Sequence, residues 1–182
     1  MKIVYQGLTA SGQKLIIRYP LARDLLQVWR YFNKLSAEKT FITYQGEKVS
    51  KKDEAQWLDK KIKDITQKKL VLLFVFIDGK LSGVSDITLK ERVQKHIGTF
   101  GITLASSARG QGIGKALMSL VISQAQKKLP SLKTITLDCF ANNEVALNLY
   151  KSLGFIEYGR LPKGLNYRDT LVDEVSMYKS IE

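Results

Sequence analysis

The chain has 182 residues, 45% hydrophobic and 25% charged, with a formal net charge of +12. This is the composition of one folded domain, residues 1–182, large enough to bury a core. A single cysteine excludes an internal disulfide framework and a single histidine leaves no metal-ligand cluster, so disulfide-stapled and metal-centred classes fall away.

The opening residues MKIVYQGLTASG lack the apolar core of a signal peptide, which makes a cytoplasmic protein the default. Two strands are expected at 2–8 and 13–19, on either side of Gly7 to Gly12. After Pro20, the spacing of Leu25, Val28, Trp29 and Phe32 predicts a helix from Ala22 to Lys34. Ser50 followed by Asp53 resembles a capping box and opens a second helix, carrying Ala55, Leu58, Ile62 and Ile65 to Lys69. The run LVLLFVFI, Leu70 to Ile77, is too short for a bilayer and suits a strand buried on both faces. Asp78-Gly79 turns it into a second strand at 80–90. A strand from Ile97 to Leu104 precedes a helix with Gly114, Leu117, Met118, Val121, Ile122 and Ala125 at helical spacing, ending before Pro130. A strand at 134–140, a helix at 143–153 closed by Gly154, and strands at 155–160 and 170–178 finish the chain. The expected fold is α/β: a single-domain mixed, mostly antiparallel twisted sheet with flanking helices and a central parallel strand–helix–strand unit at 97–140. Lysines fall in scattered pairs such as Lys51-Lys52 and Lys127-Lys128, without aromatic interleaving. They read as a solvated surface rather than a nucleic-acid face.

The chemistry concentrates in SSARGQGIGKALM, Ser106 to Met118. A glycine turn between a strand and a helix exposes backbone N–H groups at the positive end of the helix dipole, and so holds anions. A P-loop needs four residues between its glycines and a hydroxyl after the lysine; here three residues separate Gly110 from Gly114, and Ala116 follows Lys115. A dinucleotide fingerprint needs a third glycine where Lys115 stands, although Asp138 lies downstream. A pyrophosphate held without metal fits R-x-x-G-x-G in full, and a turn needed only for chain direction remains the plain alternative.

Downstream lies Asn143 to Phe155, with the pattern N-x-x-A-x-x-x-Y-x-x-x-G-F. The ordered pair of motifs resembles the acetyl-CoA signature of the GNAT superfamily of N-acetyltransferases, and the likeness extends over most of the chain. It implies transfer of an acetyl group from acetyl-CoA directly to a primary amine: a protein N-terminus, a Lys, a polyamine or a small amine. It implies pyrophosphate contacts from Arg109, Gly110, Gln111, Gly112, Ile113 and Gly114 with Lys115 close by, and pantetheine contacts from the backbones of Ile102 and Leu104. One of those two polarises the thioester carbonyl as an oxyanion hole does. Asn143 hydrogen-bonds the pantetheine side or caps its helix. Tyr150 corresponds to the acid that protonates the departing thiolate, although Ala146, Leu149, Tyr150 and Leu153 also form one apolar face. The resemblance implies no metal, no membrane and no nucleic acid, in a monomer or homodimer. A rival is a non-catalytic module, sensing acyl-CoA or binding RNA through its lysines.

A general base is the gap in the pattern. Related enzymes often place a carboxylate on the strand at 97–104, where this chain has none and Thr99 takes the commonest acidic position. A water chain, a carboxylate such as Asp86 or Glu91, or an acceptor that arrives deprotonated all remain open. A Lys amine is unprotonated about once in 2,500 at neutral pH, an α-amine about once in six to eleven, so a weak base favours the latter. His96 and Cys139 read as structural, Trp29 as core, and Glu38 and Tyr167-Arg168-Asp169 as neighbours of an acceptor pocket.

Overall fold

The computed structural model describes residues 2–181. The strands are β1 (Ile3–Leu8), β2 (Lys14–Arg18), β3 (Leu70–Ile77), β4 (Lys80–Leu89), β5 (Ile97–Leu104), β6 (Thr134–Phe140), β7 (Ile156–Tyr167) and β8 (Thr170–Ser180). The helices are α1 (Leu25–Ala37), α2 (Lys51–Thr66), α3 (Ile113–Lys128) and α4 (Glu144–Ser152). One sheet runs in the order β1-β2-β3-β4-β5-β6-β8-β7. Among the described residues only β5 and β6, joined through α3, pair in parallel.

The unbroken apolar run of β3 is explained by what covers it. Val71, Leu73, Val75 and Ile77 face one core with Leu117 and Val121 of α3. Leu70, Leu72, Phe74 and Phe76 face a second core with Val28 of α1 and Leu58 of α2. Strand side chains alternate between faces, so a strand buried on both sides has no polar positions. Each such side chain contributes about 1.5–3 kcal/mol of apolar burial. The sheet thus separates an α3/α4 side from an α1/α2 side.

Three of the boundaries that differ from the sequence reading have a local reason. The first helix begins properly at Leu25, because Asp24 is taken up elsewhere. Its carboxylate accepts two hydrogen bonds of 2.7 Å from Arg18 and one from the Leu21 N–H, which shapes a short 3-10 turn at Ala22–Asp24. Helix α2 ends at Thr66, where Lys68 adopts φ +55 and the Lys69 N–H returns to the Asp64 carbonyl. Strand β7 runs past 160 to Tyr167. Pro162 and Lys163 (φ +56) read as breakers, but β7 is an edge strand, and a register shift between Leu161 and Leu165 absorbs them. The expected cap of α2 is present: Ser50 Oγ accepts from the Asp53 N–H and donates to the Asp53 carboxylate.

Candidate active site

β5 and β6 pair only over Ile97–Thr99 and Thr134–Thr136, and beyond that they part. In the antiparallel ladder with β4, the Ala105 N–H bonds the Ser82 carbonyl and the Lys90 N–H bonds the Ile97 carbonyl. Odd-numbered residues of β5 therefore direct their backbone toward β4. Ile102 and Leu104 direct theirs into the gap that β6 has left. Ile102 thus keeps both backbone groups open toward the gap and Leu104 its N–H, since the Leu104 carbonyl accepts 3.0 Å from Arg109 Nε.

The gap leads to the start of α3. Gly110 and Gly112 have φ of +73 and +74, a conformation in which a Cβ is strained even though nothing stands within 4 Å of either position. Gly112 is the N-cap and has no side chain to satisfy the helix. The first intrahelical bond is Ala116 N–H to Gly112 carbonyl, which leaves the N–H groups of Ile113, Gly114 and Lys115 without an intrahelical acceptor. Gly114 has no such backbone requirement: a Cβ there makes only ordinary contacts, 3.5 Å from Leu104 and 3.6 Å from Leu149. Gln111 donates to the Ser107 carbonyl, and Lys115 is exposed.

Arg109 is not directed at the helix start. Its guanidinium also donates 2.8 Å to Glu38, just past α1, so it ties the glycine turn to the α1–α2 loop. Tyr31 of α1 donates 2.9 Å to Thr103 of β5 beside this pair; burial raises the Tyr31 phenol above its ordinary value. A third tie is aromatic. Phe41 of the α1–α2 loop stacks on Tyr167 at the end of β7 (centroids 4.5 Å apart), and both meet Phe140 of β6 edge-on. Arg168 donates to the Lys39 carbonyl over the same seam. Sequence reading placed Glu38 and Tyr167 near a pocket but missed Tyr31, Phe41 and Phe140. No local motif marks contacts between residues as far apart in the chain as Tyr31 and Thr103 or Phe41 and Tyr167.

Asn143 caps α4, accepting from the Ala146 N–H. Tyr150 is buried to 7% exposure, with Phe100 and Phe155 against its ring, and its hydroxyl makes no hydrogen bond to a described residue. Burial raises its phenol above the ordinary value, and the nearby Cys139 adds to the rise. Burial also pushes the Cys139 thiol up to about 11, as suits an inert core thiol. Thr99 is exposed on the α1/α2 side of β5, and His96 is exposed at the strand start. Trp29 is half-buried and donates to the Val49 carbonyl. Among the described residues no cluster of three potential metal ligands occurs, and no helix is long and apolar enough to cross a membrane.

Residues 29–155 match the model of the Acetyltransferase (GNAT) family. Among solved structures, the chain is similar to a GNAT-family acetyltransferase from Streptococcus pneumoniae at 25% identity and TM-score 0.84, covering 92% of this chain and 99% of that one. It is similar in fold to a ribosomal-protein-alanine N-acetyltransferase from Brucella melitensis (23%, TM-score 0.79, 91% and 99% covered). The ribosomal L7/L12 α-N-protein acetyltransferase RimL, solved with coenzyme A, shares the fold at 14% identity and TM-score 0.81, with 99% and 98% covered. No curated protein sequence matches the chain.

Proposed function

The chain belongs to the GNAT acetyltransferase family, and from that premise we propose that it moves an acetyl group from acetyl-CoA directly to a primary amine. One observation carries this reading. The open backbone groups of Ile102, the Leu104 N–H and the N–H groups without an intrahelical acceptor at the start of α3 form a single track along the β5–β6 gap. Strand backbone suits an amide-bearing pantetheine arm, and a helix N-terminus suits a pyrophosphate. Acetyl-CoA, when bound, supplies the activated acetyl group.

The Ile102 N–H polarises the acyl carbonyl, and the Leu104 backbone holds the arm. Gly110, Gln111, Gly112, Ile113 and Gly114 meet the pyrophosphate, with Lys115 alongside. Arg109 holds this turn in shape through Leu104 and Glu38. Asn143 caps α4 and keeps its side-chain N–H₂ for the arm.

Tyr150 protonates the departing thiolate. On ordinary values, a phenol near 10 gives a proton to a thiol near 8.5 at a cost of about 2 kcal/mol. Burial raises the Tyr150 phenol further, which alone enlarges that cost. The same surroundings act on sulfur: the neighbouring Cys139 thiol stands at about 11. A coenzyme A thiolate desolvated in the same way is destabilised alongside the phenol, which works against that cost.

Acceptors include a protein N-terminus, a Lys side chain, a polyamine or another small amine. The reading is tested first by thermal shift with acetyl-CoA. Ligand at about 100 times its Kd stabilises by ~2.7 kcal/mol, which for a chain of this size raises Tm by several degrees. Coenzyme A release is then followed with an alanine-initiated peptide amide, α-N-acetyl-lysine amide and spermidine. Tyr150→Phe should lower turnover about a hundredfold while acetyl-CoA affinity stays within twofold. Loss of binding in parallel would make Tyr150 a packing residue.

A further inference from the structure

Resting on the acetyl-transfer reading, we infer that Asp86 is the general base, taking the proton from the attacking amine in the role that β5 leaves unfilled.

Asp86 lies on β4 directly across from Gly101. A Cβ built on Gly101 would stand 3.1 Å from Asp86 Oδ1. The absence of a side chain at position 101 therefore lets a carboxylate from the neighbouring strand lie across the β5 backbone. It comes to rest over Gly101, the residue before Ile102, whose N–H faces the β5–β6 gap. A carboxylate on β5 itself would reach the acceptor side from Thr99. Here Asp86 delivers one to the same side, one residue from the polarising amide.

The bonding of Asp86 fits this role. Its Oδ2 accepts from Thr88 Oγ1 at 2.8 Å and from Lys61 Nζ at 3.2 Å. Those bonds fix the side chain and leave Oδ1 without a hydrogen-bond partner among the described residues. The side chain is 24% exposed, open enough for a substrate to reach.

Four other carboxylates lack this placement over Gly101. Glu38 is paired with Arg109, Asp138 accepts from Ser176, and Glu91 is exposed beyond the end of β4. Glu54 is sealed within the α1/α2 side at 3% exposure. The groups around Asp86 are Lys61 from α2, Leu72 from β3 and Gly101 from β5. Farther out on the same face are Tyr31 from α1, bound to Thr103, and Asp138 from β6. Among the described residues Lys61 is the one cation paired with Asp86, and its ammonium lies 5.8 Å from the centre of the Trp57 ring.

In the step, an N–H bond of the acceptor ammonium breaks and its proton passes to Asp86 Oδ1. The freed nitrogen lone pair forms the C–N bond as the C–S bond breaks, and the sulfur takes the Tyr150 proton. The second proton, from the acylated nitrogen, restores the Tyr150 phenol, and Asp86 releases its own to water. Charge and protons balance with no other reactant.

The test is the pH dependence of coenzyme A release by Asp86→Asn, using whichever reacts fastest of the alanine peptide amide, α-N-acetyl-lysine amide and spermidine. Without a base, the rate follows the unprotonated fraction of the amine. The deficit should be about a hundredfold two pH units below the amine's own pKa and shrink by about tenfold per pH unit toward it. Asp86→Glu should recover part of the loss. Gly101→Ala displaces Oδ1 without changing charge and should cost about tenfold in kcat, with the acetyl-CoA thermal shift intact; it serves as the probe should Asp86→Asn not fold. A deficit equal at every pH would make Asp86 structural and overturn the inference. So would a Gly101→Ala enzyme with unchanged kcat. Failure of the wild type to shift with acetyl-CoA would sink the transfer reading itself. Binding without turnover of any of the three amines would overturn transfer and base together.

Discussion

Glu54 illustrates what one side chain contributes outside any motif. It sits in the first turn of α2 at 3% exposure, and its Oε1 has no hydrogen-bond partner among the described residues. Burial raises its carboxyl from the ordinary 4.5 to about 7. Between those values the unfolded chain binds fewer protons than the folded one, so stability falls as pH rises. The contribution is fully present below about pH 4.5 and is lost as pH rises through about 7. A difference of this size corresponds to on the order of 3 kcal/mol. Glu54→Gln keeps the shape and removes the charge. At pH 8 it should therefore melt several degrees above the wild type, while at pH 4.5 the two should melt nearly together. A gap that does not change with pH would mean that the carboxyl stays ionised in the folded protein.

At the scale of elements, the start of α3 separates two uses of glycine. Gly112→Ala forces an alanine to φ +74 and should cost about 1–2 kcal/mol in the free protein, visible as a lower Tm without ligand. Gly114→Ala meets only ordinary contacts and should leave that Tm unchanged or slightly raised, since alanine favours the helix. Its effect should appear on binding, because a methyl group beside the Gly114 N–H holds a phosphate away; a thermal shift with acetyl-CoA several degrees below the wild type is expected. The R-x-x-G-x-G pattern displayed both glycines equally, and only backbone angles tell them apart. The same limit explains what else was legible. Helix faces, the β3–β4 hairpin and the α2 cap follow from neighbours a few residues apart, and they matched. The long β7, read as 155–160, did not, because its Pro162 is tolerated only through its place at the sheet edge. Asp86 over Gly101 depends on a register between strands, which no local spacing encodes.

Across the whole molecule, the sheet separates the glycine turn at the start of α3 from the α1/α2 core, and a few contacts join them. Glu38 to Arg109 and Tyr31 to Thr103 tie the α1–α2 side to the glycine turn and to β5. The stack of Phe41 on Tyr167 over Phe140 instead ties the α1–α2 loop to the β7–β8 hairpin. If this stack walls the acceptor end of the β5–β6 gap, loosening it should act on the amine alone. Tyr167→Ala removes an aromatic pair worth about 0.5–1.5 kcal/mol beyond its area. It should raise KM for the amine by about three- to tenfold, with acetyl-CoA affinity within twofold and Tm lowered by only a few degrees. Glu38→Gln offers the contrast, since it weakens the hold on Arg109 and should lower acetyl-CoA affinity as well. Were Tyr167→Ala to weaken acetyl-CoA as much as Glu38→Gln does, the stack would be bracing the coenzyme track. The acceptor would then have to enter elsewhere along the face carrying Asp86 and Thr99.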